Sequence, residues 1–214
     1  MKKTIIIALS AEGQTEKCYF EWLQRQINAD STAKYHIKIN CKVNQSPSSS
    51  AKMLPPFASE YCILAHICDV ESKEKEHVDK FHNVIVALED AKHRFPNYKL
   101  YYSNFSFELW MILHKMECGT SLTDRKKYLS KINQAYRKEF KSLDAYKEAK
   151  GFSSCLACLT LEDVKHAVQR AQKLCTIYKA NQKKFVCYKK VTYAEDNPYL
   201  TVGELVGNIL NCCY

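Results

Sequence analysis

The run Tyr61-Cys62-Ile63-Leu64-Ala65-His66-Ile67-Cys68-Asp69-Val70-Glu71 decides how this chain is read. It is almost unbroken in its apolar character, stops at two acids and passes into the charged Ser72-Lys73-Glu74-Lys75-Glu76. About eight apolar residues ending in polar punctuation describe a strand buried on both faces, the kind found in parallel sheets. Ligands of open α/β sheets bind just beyond the carboxyl ends of the strands. Asp69 and Glu71 fall there, and residues i and i+2 of an extended chain point to the same side. Two carboxylates in one dry site raise each other's pKa unless a cation joins them. A hard, oxygen-liganded ion, Mg²⁺ or Mn²⁺, is therefore expected. The competing reading makes Asp69 the cap of the next helix, with Glu71 on its first turn.

Working outward, Thr4–Leu9 reads as another buried strand, followed by Ser10-Ala11-Glu12-Gly13-Gln14-Thr15 and a helix over Glu16–Ile27. Gly13 permits a tight turn and Thr15 is the expected cap. Glu12 thus also stands at a strand's carboxyl end. The turn lacks the glycines and the Gly-Lys-Ser/Thr ending of a phosphate loop. Tyr35–Val43 alternates as a second strand, Asn44–Ser50 reads as a mobile serine-rich loop, and Ala51–Ser59 as a connector carrying Pro55-Pro56. A helix is predicted over Lys75–Phe95, with His77, His82 and His93 on its surface, then a strand over Tyr98–Tyr102. Ser103-Asn104 is the expected start of an apolar helix running through Trp110 to His114. Glu108 inside that helix needs a partner or a metal, and His114 is the expected hydrogen-bond partner.

The 214 residues suit one domain with a helical elaboration. No stretch approaches the roughly 18 apolar residues of a membrane span, and the basic, apolar start is too short for a signal peptide; a cytoplasmic location is expected. Net charge is +9, and residues 121–190 hold 17 Lys+Arg against 6 Asp+Glu. Such local concentration suits contact with a polyanion, through Lys126, Lys127 and Lys131 among others; the alternative is a set of solvated helix faces. The basic region reads as one helical run over Leu122–Ala149, its interleaved Tyr128, Tyr136, Phe140 and Tyr146 available for stacking, broken over Gly151–Leu159. Capping-box patterns at Thr160–Asp163 and Thr201–Glu204 start two further helices, with a strand over Phe185–Tyr193 between them.

Eleven scattered cysteines include one pair at ligand-like spacing, Cys155 and Cys158, which Cys118, His114 or Cys187 would have to complete as a zinc site. Reduced, metal-free thiols are the expectation.

Three blocks together resemble the RloB-like proteins, a family linked to restriction–modification loci and abortive phage defence. They are Glu12-Gly13-Gln14-Thr15-Glu16 with Tyr19-Phe20, Ser103-Asn104-Phe105-Ser106-Phe107-Glu108-Leu109-Trp110 through His114, and Asn197-Pro198 through Leu205-Val206. The chain departs from the family pattern at Glu71, where the resemblance leads one to look for Asp, and at Phe105, where it leads one to look for Pro. The resemblance implies a Toprim-like α/β fold, a mainly parallel sheet flanked by helices with a basic helical elaboration in the C-terminal half. It implies a core over residues 1–118, a basic insertion over 119–184 and a return over 185–214. It also implies Mg²⁺ held by Glu12, Asp69 and Glu71. The expected function is a metal-dependent nuclease with Glu12, Asp69, Glu71 and Glu108 as its catalytic acids, acting on DNA or RNA, with a protein partner in such a defence system. Two alternatives remain: a non-catalytic nucleic-acid-binding or effector module that keeps the fold, and a nucleotide-handling enzyme supported by fold analogy alone.

Overall fold

The structure, a computed structural model, describes residues 2–120, 122 and 124–214, with the Arg125 side chain left aside. Its chain order begins β1 (Thr4–Ala11), α1 (Gln14–Ala29), β2 (His36–Val43), α2 (Pro47–Met53), β3 (Ile63–Asp69), α3 (Lys75–Arg94), β4 (Lys99–Asn104) and α4 (Glu108–Leu113). It continues α5 (Arg125–Tyr136), α6 (Leu143–Lys147), α7 (Ala149–Leu156), α8 (Leu161–Ala180), β5 (Phe185–Tyr188), β6 (Val191–Ala194), β7 (Tyr199–Leu200) and α9 (Val202–Cys213).

Five strands form one sheet in the order β2-β1-β3-β4-β7, parallel except for β7. The fold is mixed α/β with a mainly parallel sheet between helices, as the apolar run predicts. That run is β3, buried from Ile63 to Cys68. Alternation sends Ala65 and Ile67 into a core built with Tyr19 and Leu23 of α1, Trp110 of α4, and α5, α7, α8 and α9. Leu64 packs on the opposite face, with Leu88 and Ala91 of α3 and Ala51 of α2. The basic helices therefore share the sheet's own core. Among the described residues, no helix is long and apolar enough to cross a membrane.

Several local expectations are corrected. The serine-rich loop contains α2: Pro47 presets the first turn, and Ser46 Oγ accepts from the Ser49 N–H. The expected run over Leu122–Ala149 is two helices, α5 and α6, because Arg137 takes a left-handed φ of 52° after α5 and Ser142 starts α6 anew. Gly151, expected to break helix, lies within α7. Tyr128, Tyr136 and Tyr146 are core residues rather than stacking platforms. Phe185–Tyr193 is a β5–β6 hairpin, turning where Lys189 has φ 51°.

The Thr160–Asp163 capping box is present, whereas that at Thr201 is not. Thr201 Oγ1 instead accepts the Tyr102 N–H at 2.8 Å, so the sheet takes the hydroxyl that would have capped α9. Gly13, not Thr15, precedes α1. Neither Ser103 nor Asn104 caps α4: both belong to β4, and the Asn104 amide donates to the Ala194 carbonyl.

Candidate metal centre

Parallel pairing of β1 with β3 and of β3 with β4 brings three strand ends to one edge of the sheet. Glu12 follows β1 by one residue, Asp69 ends β3, and Glu108 starts α4 just after β4. The Asp69 N–H donates to Glu12 Oε2 at 3.3 Å, so the two predicted acids meet. Asp69 is not a helix cap; Glu74 holds that position for α3.

A fourth carboxylate joins them. Glu16, on the first turn of α1, is 5% exposed and folds back over the preceding turn. A Cβ at Gly13 would lie 2.6 Å from Glu16 Oε2, so a side chain there would displace the Glu16 carboxylate from its present position. Burial is the largest influence on the Glu16 carboxyl, with Glu108 and Glu12 adding repulsion; its pKa rises to about 7. Asp69 is likewise pushed well above the usual carboxylate range, by burial first and then by Glu16, Glu108 and Glu12. The four acids therefore feel one another's charge.

Glu108 is 1% exposed. Its carboxylate accepts from Ser106 Oγ at 2.6 Å and lies 3.1 Å from Lys147 Nζ, a cation that α6 delivers to the site. Glu71 lies on the α3 side of the same cleft. The strand ends at Asp69, so the i, i+2 rule no longer governs it. Its carboxylate meets Lys80 at 2.7 Å and His77 at 3.4 Å, both on α3, and Lys80 also lies 3.6 Å from Glu12. A cleft of about 460 Å³ opens in front, lined by Asp69, Glu71, Ser106, Glu108, Tyr128 and Lys147 among others.

His114 does not reach Glu108. Its Nδ1 donates to the Trp110 carbonyl at 2.9 Å, leaving Nε2 to accept from the Tyr19 hydroxyl at 3.1 Å. Burial lowers its pKa to about 4, so it is a neutral core residue. His93 is exposed as expected. His77 instead bonds Ser72 at 2.6 Å, and His82 stacks on Tyr188 at 3.7 Å. Lys126 and Lys127 are exposed and Lys131 half-buried on α5. Asp124, at the cleft, caps α5 by accepting the Lys127 N–H, so the basic helix starts at the rim of the acidic site.

Carboxylate oxygens suit a hard divalent ion in donor chemistry. Among the described residues no group of three or more His, Cys, Asp or Glu side chains is gathered at ligand spacing. Lys147 and Lys80 supply compensating charge to the acids as they stand. Sequence reasoning missed Glu16 as a site residue and missed Lys147 altogether. Glu16 lies four residues after Glu12, within the same acid-glycine block, and that spacing is the signal that could have found it. Nothing in the local sequence marks Lys147, which arrives from a distant helix.

The RloB-like protein family model matches residues 5–209. The chain is a member of the RloB-like family. No curated protein and no solved structure matches it. In this RloB-like chain the acid-glycine block thus supplies two acids to one site, and the Ser-Asn block supplies a third.

Proposed function

We propose that this RloB-like protein is a metal-dependent phosphodiesterase acting on nucleic acid. The observation that carries the reading is the gathering of Glu12, Glu16, Asp69 and Glu108 at one sheet edge, with the Glu16 and Asp69 carboxyls raised by burial and mutual repulsion. Clustered carboxylates of this kind sit easily only with a cation among them. Glu12, Asp69 and Glu16 would hold Mg²⁺ or Mn²⁺, with Glu108 as a further ligand or water-orienting group and Glu71 contributing from the α3 side. Such an ion activates water and offsets charge developing on a phosphate.

The chain's own residues do the rest. Ser106 and Lys147 fix the Glu108 carboxylate. Gly13 leaves room for Glu16. Lys147 also offers a cleft-side ammonium to an incoming phosphate. Lys126, Lys127 and Lys131, on the helix that starts at the cleft rim, would follow the nucleic-acid backbone.

A second reading, a non-catalytic nucleic-acid-binding or effector module, draws support from Lys80. Its ammonium lies within ion-pair distance of both Glu12 and Glu71, giving those acids a built-in counterion. Metal-dependent cleavage separates the two. Labelled single- and double-stranded DNA and RNA are incubated with the protein in Mg²⁺, Mn²⁺ or EDTA, beside Asp69→Asn. The phosphodiesterase reading expects cleavage that needs metal and falls at least ~100-fold in the variant. Retained binding without cleavage under every condition supports the module.

A further inference from the structure

At the other end of β3 from the acids, two sulfurs meet. Cys62 directly precedes the strand and Cys212 lies on the last turn of α9, 150 residues apart in sequence, with their Sγ atoms 2.7 Å apart. Main-chain hydrogen bonds hold both neighbourhoods. The Cys62 N–H donates to the Ile6 carbonyl at 3.0 Å, and the carbonyl of Cys213, beside Cys212, accepts the Lys34 N–H at 2.8 Å. Cys62 is exposed and Cys212 half-buried, along a shallow cavity that both line with Asn97, Tyr101 and Asn208. A small reagent therefore reaches them from solvent. The thiols of Cys158, Cys175 and Cys187 are turned instead to the carbonyls of Ser154, Leu200 and Lys189. Among the described residues this is the one sulfur–sulfur contact at such range.

We propose that Cys62 and Cys212 form an oxidisable dithiol, a modification site at which a small disulfide cross-links α9 to the entry of β3. Cys62 is the exposed member of the pair, so its sulfur meets the reagent first. It loses its proton and displaces one half of the small disulfide, forming a mixed disulfide; the departing thiolate takes up that proton. The Cys212 sulfur then attacks Cys62 Sγ, and its own proton goes to the second small thiol released. Two electrons and two protons pass to the small disulfide, and one S–S bond joins the protein.

The test uses the full chain and oxidised glutathione. The folded protein is treated, remaining thiols are alkylated, and unreduced peptides are mapped by mass spectrometry. The expected result is a Cys62–Cys212 linked peptide that disappears with dithiothreitol. Cys212→Ser, which keeps the first attacker, should accumulate the glutathione adduct on Cys62. Full alkylation of both cysteines in treated wild-type protein would overturn the proposal. So would cross-links spread over other cysteines, or a Cys212→Ser protein that carries no adduct.

Discussion

The main-chain N–H of Asp69 donates to Glu12 Oε2 at 3.3 Å across 57 residues of sequence. The contact follows from sheet register. β1 and β3 are parallel neighbours in which Ala11 pairs with Ile67, so both strands run out within two residues of each other. An acid just past each end then meets the other without a long excursion of either side chain. The same register brings β4 alongside, where Ser103 pairs with Asp69, and Glu108 follows from the turn into α4.

Glu16 and Asp69 both contribute to the pH dependence of the metal-free protein. Both carboxyls bind protons more tightly in the folded chain than in the unfolded one. Their contribution to stability is complete below the unfolded pKa and is lost as pH rises through the folded value. For Glu16 that window runs from its ordinary 4.5 to about 7, a change on the order of 3 kcal/mol. His114 and His66, both lowered by burial to about 4, act with the opposite sign across this range. The Glu16 contribution is therefore read as the Tm difference between wild type and Glu16→Gln in EDTA, which should fall from pH 4.5 to 7, and Mg²⁺ should oppose that fall. A difference that climbs from pH 4.5 to 7 contradicts the assignment.

How much of the fold and site is legible in the sequence depends on range. The apolar run ending at Asp69, the first strand and the glycine turn after it are local signals, and they locate Glu12 and Asp69 correctly. Strand alternation places Glu71 beside Asp69, but alternation ceases where β3 ends; Lys80 and His77 then claim its carboxylate. Thr201 looks like a helix cap, but the sheet edge offers its hydroxyl a Tyr102 N–H. The aromatics of the basic region look like stacking groups because lysines surround them. Their burial shows instead that the region is amphipathic, with tyrosines inward and lysines outward. Lys147 is beyond reach, since only tertiary packing delivers it to Glu108.

Replacing Lys147 by Met should destabilise the metal-free protein. The change leaves Glu108, 1% exposed, with Ser106 as its remaining partner. A buried carboxylate stripped of its cation costs about 2 kcal/mol or more, read as a lower denaturation midpoint at pH 7.

Charge reversal of Lys126, Lys127 and Lys131 should weaken nucleic-acid binding and flatten its dependence on salt, by roughly one unit of slope for each phosphate no longer neutralised. Acids near the start of α5 suit the helix dipole, so circular dichroism should report an intact fold. Unchanged affinity and slope would make these lysines a solvated face.

Gly203 tests the packing of α9 on α8. A Cβ there would stand 2.5 Å from Ala171 Cβ and 3.4 Å from the Trp110 ring. Neither neighbour has a flexible end to move aside. Gly203→Ala should therefore cost roughly 2 kcal/mol despite the better helix propensity of alanine. A stabilised variant would show that the two helices sit further apart.

The central claim is that the acids at the strand ends hold a divalent cation, and Mn²⁺ titration followed by the electron paramagnetic resonance of the free ion tests it without relying on turnover. Wild-type protein should remove Mn²⁺ from solution at one or two ions per chain, with Mg²⁺ competing. Asp69→Asn, which keeps the shape of the side chain and removes its charge, should lose that uptake while its Tm in EDTA holds or rises. Mn²⁺ uptake by Asp69→Asn equal to that of the wild type, or no uptake by the wild type at millimolar Mn²⁺, would contradict the account.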